Sequence, residues 1–120
     1  MSIVQREVVI VSYPERCKDT IVNWISALDN ANHRGLFHFL GRDNLNGNEE
    51  LILKSTGSKV GWSDYDNHKE LREKFIAFLE SQKYDDGSNS IHYVEVGYGD
   101  VSQAVLGGNS GNEQPQFYEI

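Results

Sequence analysis

The sequence predicts an α+β domain, a two-layer sandwich in which an antiparallel sheet of four to five strands carries two helices on one face. Three observations lead there. Short runs of β-branched and aromatic residues alternate with two longer stretches of helical apolar spacing, in the order β-α-β-β-α-β. That order is the element order of a split βαβ, ferredoxin-like sandwich. At 120 residues the chain makes one domain, able to bury roughly two thirds of its unfolded surface.

Residues 6–13 read as the first strand. Val8, Val9, Ile10 and Val11 are consecutive, which predicts burial on both faces, as in a central strand. Pro14 suits the first turn of a helix, where a missing N–H costs little. Cys17, Ile21, Trp24, Ile25 and Leu28 then recur at helical spacing and form one apolar stripe. Asn30, Asn32 and Gly35 end that helix, residues 36–40 read as a second strand, and residues 43–48 as a turn by composition. Residues 51–54 make a third strand.

The small-residue loop 55–61 leads to a second helix start. Ser63 with Asp66, or Asn67 with Glu70, has the spacing of a capping box. Leu71, Phe75, Phe78 and Leu79 mark its apolar side, with Glu70 and Lys74 as an i,i+4 pair on the other. Residues 85–90 break the chain, 91–96 form a fourth strand, and Gly97 to Asp100 turn it into a short fifth strand at 101–106. The expected domain is therefore 1–106. Residues 107–120 read as a flexible Gly/Asn-rich linker with a short apolar C-terminal tail, Phe117-Tyr118-Glu119-Ile120, which docks on something. A first strand covered on both faces would need a second subunit, a partner or this tail on the side away from the helices.

Charge is unevenly placed. Lys83 is the last basic residue, and residues 1–83 carry 12 acids against 11 bases, so nearly all of the net charge of −7 lies beyond it. An acidic end repels nucleic acid and anionic membrane and attracts a basic protein or a cation. A lone cysteine, Cys17, excludes an internal disulfide and fits a reducing compartment; no leader-like segment opens the chain, and no apolar run approaches a membrane span. A cytoplasmic protein is the expectation.

The motifs for chemistry fail one by one. His38 and His92 sit mid-strand, but two-histidine phosphoesterases need a hydroxyl two residues after each, and Leu40 and Val94 stand there. Both histidines read instead as half-buried strand residues, with His33 and His68 solvated. Zinc spacing is missing, and neither Asp64-x-Asp66 nor Asp85-Asp86-Gly87 continues as a calcium loop would. The stretch from Gly57 to Ser63 has the wrong spacing for a phosphate-binding P-loop, and Cys17 belongs to an apolar stripe rather than to a thiolate site. The sequence points away from an enzyme and implies no catalytic residue, metal or cofactor.

What remains is surface chemistry. Trp62 and Tyr65 flank a loop-to-helix junction, Tyr93 and Tyr98 flank the acidic last strands, and Asp85, Asp86 and Asp100 supply charge. Glu95 shares a strand face with Ile91 and Tyr93, so that face is open or Glu95 has a partner. Those eight residues are the expected partner-binding set. The leading expectation is a non-enzymatic protein-binding module that offers this acidic, aromatic surface to a basic partner. Small acidic proteins that mask a toxin's basic active site use the same physics, a comparison of charge and size only. The alternative is a small-molecule-binding or regulatory domain, a homodimer through its sheet face, recognised by an enclosed pocket near Tyr93, His92 and Trp62.

Overall fold

In the computed structural model, residues 3–43 and 47–109 are described. Five strands, β1 (Gln5–Tyr13), β2 (Phe37–Arg42), β3 (Glu49–Leu53), β4 (His92–Gly99) and β5 (Ala104–Gly108), form one open antiparallel sheet in the order β2-β3-β1-β4-β5. The helices are α1 (Lys18–Ser26), α2 (Ala31–Arg34) and α3 (Ser63–Glu80), with a 3-10 turn at Glu15–Cys17. Among the described residues no helix is long and apolar enough to cross a membrane.

The expected Pro14 helix start becomes that 3-10 turn, closed by a hydrogen bond from the Cys17 N–H to the Pro14 carbonyl at 2.9 Å. Asn30 does not simply end a helix. Its side chain accepts from the N–H groups of Asn32 and His33 at 2.8 and 3.3 Å and so caps the one-turn α2. The capping box expected at Ser63 or Asn67 does not form: Trp62 takes the N-cap position with no side-chain cap, and Asp64 and Asp66 sit in the positive first turn.

β1 is the central strand, yet its two faces differ. Val9, Val11 and Tyr13 are fully buried, whereas Val8, Ile10 and Ser12 are half-buried, so the expectation of equal burial does not hold. The buried set packs with Leu51 and Leu53 of β3, Ile21 and Ile25 of α1, and Leu71, Phe75 and Leu79 of α3. Aromatic contacts close this core. Phe75 meets Phe37 edge-on with centroids 5.0 Å apart, and Trp24 stacks on Phe78 at 5.2 Å.

At the far end the sequence placed a turn too early. β4 continues through Gly97 and Tyr98 to Gly99, and the chain reverses at residues 100–103. Gly99 has φ 143°, and a Cβ there would lie 2.5 Å from the Val4 carbonyl oxygen, so only glycine lets the chain pass. Asp100 fixes the turn, its carboxylate accepting from the Val4 N–H and its own N–H donating to Val4 O, both at 2.9 Å. Gly107 and Gly108 belong to β5 rather than to a linker, and the Asn109 amide bridges Ile91 O and Tyr93 N–H at 2.7 and 2.9 Å. The expected apolar tail at Phe117–Ile120 lies outside the described residues.

Candidate functional site

Alternation places Glu7 of β1 and Glu95 of β4 on the helix-covered face of the sheet, and helical spacing places His68 and Arg72 on the stripe of α3 that meets them. Arg72 is 4% exposed and His68 3%. The Arg72 guanidinium donates to Glu95 Oε2 at 2.9 Å, to Glu7 Oε2, and to His68 Nδ1 at 2.5 Å. Tyr65 O–H donates to the second oxygen of Glu7. Arginine can only donate, so His68 Nδ1 must accept. The ring hydrogen therefore sits on Nε2, which donates to the Lys54 carbonyl at 2.7 Å. Burial pushes the His68 pKa down; the Lys54 hydrogen bond opposes this and the nearby guanidinium adds to it. The hydrogen bond to Glu7, then burial, raise the Tyr65 phenol.

A histidine with both nitrogens engaged cannot serve as a base toward a substrate, and an arginine saturated by two carboxylates cannot clamp one. This cluster fastens α3 to the sheet. It corrects the expectation that His68 is solvated. The other expected histidine pair is separated as well: His38 on β2 and His92 on β4 have β3 and β1 between them, and both are exposed. Three strand spacings of about 4.8 Å keep them roughly 14 Å apart. Among the described residues no three His, Cys, Asp or Glu side chains gather as a metal-binding set.

The eight residues singled out from sequence do not converge. Trp62 and Tyr65 start α3, and Asp85 and Asp86 follow its other end, about 27 Å away along an 18-residue helix. Tyr65 and Glu95 meet the buried cluster, which gives Glu95 the partner that its position demanded. Tyr93 turns inward and its O–H donates to Glu80 at 2.7 Å; burial and that carboxylate raise its pKa. Asp86 accepts from the Ser88 hydroxyl and N–H at 2.6 and 2.9 Å, which holds its carboxyl below the usual range. Asp100 is committed to its turn. Of these eight, only Trp62, with Lys59 Nζ 4.9 Å from its ring centroid, and Tyr98 present large exposed aromatic surface, and they lie on different elements.

The opposite face of the sheet carries what sequence reasoning missed. Register pairs Arg6 with Tyr98, Val8 with Val96, and Ile10 with both Val94 and Ile52. At one end of this face Arg6, Val8, Ile52, Lys54, Thr56 and Tyr98 line an open hollow of about 540 Å³. Neither Arg6 nor Lys54 forms an ion pair with a described carboxylate, as is also true of Arg16, Arg34, Lys59, Lys69 and Lys74, whereas Lys18, Arg42, Arg72 and Lys83 each do. The expected enclosed pocket at Tyr93, His92 and Trp62 is not among the described hollows, and His92 lines instead an open one beside Glu80 and Lys83. No family model, no curated protein and no solved structure gives a significant match to this chain.

Proposed function

We propose that this chain is a non-enzymatic binding domain that takes a small anionic molecule in the hollow on the open face of its sheet. One observation carries the reading. In a chain of net charge −7, two cations without carboxylate partners, Arg6 and Lys54, border a hollow whose floor is Val8 and Ile52. An apolar floor with a few convergent polar groups is the usual character of a ligand site, and the volume falls within the common range of about 300–1,000 Å³. Screening a small-molecule library by backbone amide shifts tests it. Hits that move Val8, Ile52 and Thr56 together support the reading, and a library with none overturns it.

The same reading treats β1, α1, β2, β3, α3 and β4 as a split βαβ sandwich, supported by the strand order β2-β3-β1-β4, with β5 as an added edge. A homodimer across the sheet face would cover the half-buried Ile10, Ile52, Val94 and Val96. Sedimentation velocity across a concentration series would detect it, and an unchanging monomer would remove it.

A second reading, docking of a basic protein, is favoured by Trp62, which is 54% exposed beside the exposed Asp64 and Asp66. Asp64, Asp66 and Asp85 changed to asparagine should abolish salt-sensitive binding of such a partner. Glu95 and Asp100 are unsuitable for that test, since each holds an internal hydrogen bond.

A further inference from the structure

We propose that the ligand of the open hollow is a phosphate monoester with a flat apolar body, an assignment that rests on the small-molecule reading above. The charge argument comes first. Arg6 at the start of β1 and Lys54 just past β3 are both exposed, and together they bring two positive charges without described carboxylate partners to one concavity. A phosphomonoester carries about −1.5 to −2 at neutral pH, whereas a carboxylate carries only one charge. Two cations are matched by the first and left half-compensated by the second. Arginine adds a planar fork that binds two phosphate oxygens at once.

The walls divide the same way. On the loop side, Ser55, Thr56 and Gly57 line the hollow, the first two bearing hydroxyls. The Thr56 hydroxyl is already bonded to Ser58, 2.9 Å from its Oγ and accepting from its N–H at 3.2 Å. Gly57 has φ 74°, with open space where a side chain would project, so an anion can come close to the main chain there. On the strand side, Val8 and Ile52 form an apolar floor and Tyr98, 45% exposed, offers its ring as a wall. A head of two charges and a flat apolar body together fill both halves; inorganic phosphate fills one.

The frame is held in place by main-chain bonds. Lys54 N–H donates to Leu36 O at 2.9 Å while Lys54 O accepts from His68, and Val60 N–H donates to Ile3 O at 2.9 Å. Both ends of the loop are thus tied to the sheet and to α3, which limits the ordering cost of binding.

The test is an amide-shift titration of the full chain with phenyl phosphate, inorganic phosphate and benzoate. It is repeated on Arg6→Gln, Lys54→Gln and, as a control on α3, Lys69→Gln. Phenyl phosphate should move the amides of Val8, Ile52, Ser55, Thr56, Gly57 and Tyr98. Its Kd should rise about tenfold in each of the first two variants and stay unchanged in the third. Equal thermal midpoints of all four proteins would show that the exposed substitutions left the fold intact. Inorganic phosphate and benzoate should each bind at least about fivefold more weakly. Benzoate binding as tightly, indifferent to both substitutions, would overturn the phosphate assignment and leave a small-molecule site standing. Inorganic phosphate binding as tightly would overturn the apolar body. No shift in the hollow with any of the three would overturn the assignment outright, and the library screen would then decide the broader reading on its own.

Discussion

Arg72 and Arg6 stand on opposite sides of one sheet and meet opposite fates. Arg72, under α3, is almost wholly buried and shares its donors among Glu7, Glu95 and His68. Arg6, on the open side beside Tyr98, is exposed and meets no described carboxylate. The physical reason is solvent. A buried guanidinium loses its hydration and persists only with full compensation, whereas an exposed one keeps its water and needs no partner. Folding therefore commits Arg72 to its neighbours and leaves Arg6 and Lys54 without described carboxylate partners, the feature on which the binding proposal rests.

The comparison breaks most sharply on the arginines themselves. Arg72→Ala should cost about 3–5 kcal/mol in urea unfolding, because the buried Glu7 and the part-buried Glu95 would lose their counter-charge. Arg6→Ala should change stability by less than about 0.5 kcal/mol. Equal losses would mean that the cluster is not the fastening between α3 and the sheet. Adjacent apolar residues of β3 sharpen the same contrast. Leu53 is fully buried among the aromatic rings and Ile52 half-buried on the open face. Leu53→Ala should cost about 2–5 kcal/mol and Ile52→Ala about 1 kcal/mol. An Ile52→Ala loss that grows to match, and rises with protein concentration, would show a second copy covering that face.

Much of the covered side was legible in the sequence. The 3.6-residue spacing of Ile21 and Ile25, and of Leu71, Phe75 and Leu79, marked the helix faces that reach the core. The period-2 pattern of β1 was obscured because β-branched residues fill both faces, so Val8 and Ile10 read as core when only Val9 and Val11 are. The buried cluster left a signal that went unread. His68 and Arg72 fall on the same stripe as Phe75 and Leu79, and Glu7 alternates with Val9 and Val11, so polar groups in core positions had to find one another. The hollow left none. Arg6, Lys54 and Tyr98 come from three segments whose adjacency depends on the strand order β3-β1-β4, which no local pattern encodes.

A smaller effect separates the faces by pH. His68 is neutral, with Nδ1 facing the Arg72 guanidinium, and a proton placed there would set two donors against each other. The groups around it are Glu7 from β1, Arg72 from its own helix, His33 from α2 and the Lys54 carbonyl; burial outweighs them and holds its folded pKa below 6.5. Below pH 6.5 the unfolded chain thus binds a proton that the folded chain refuses. Stability should fall as pH drops from 6.5 toward the folded value, with a slope of at most about 1.4 kcal/mol per pH unit for this one group, and level off below it. Glutamine at this position can accept from Arg72 and donate to Lys54 O without titrating. Urea midpoints of wild type and His68→Gln between pH 7 and 5.5 should diverge, the variant losing less. Parallel curves would place the titrating group elsewhere.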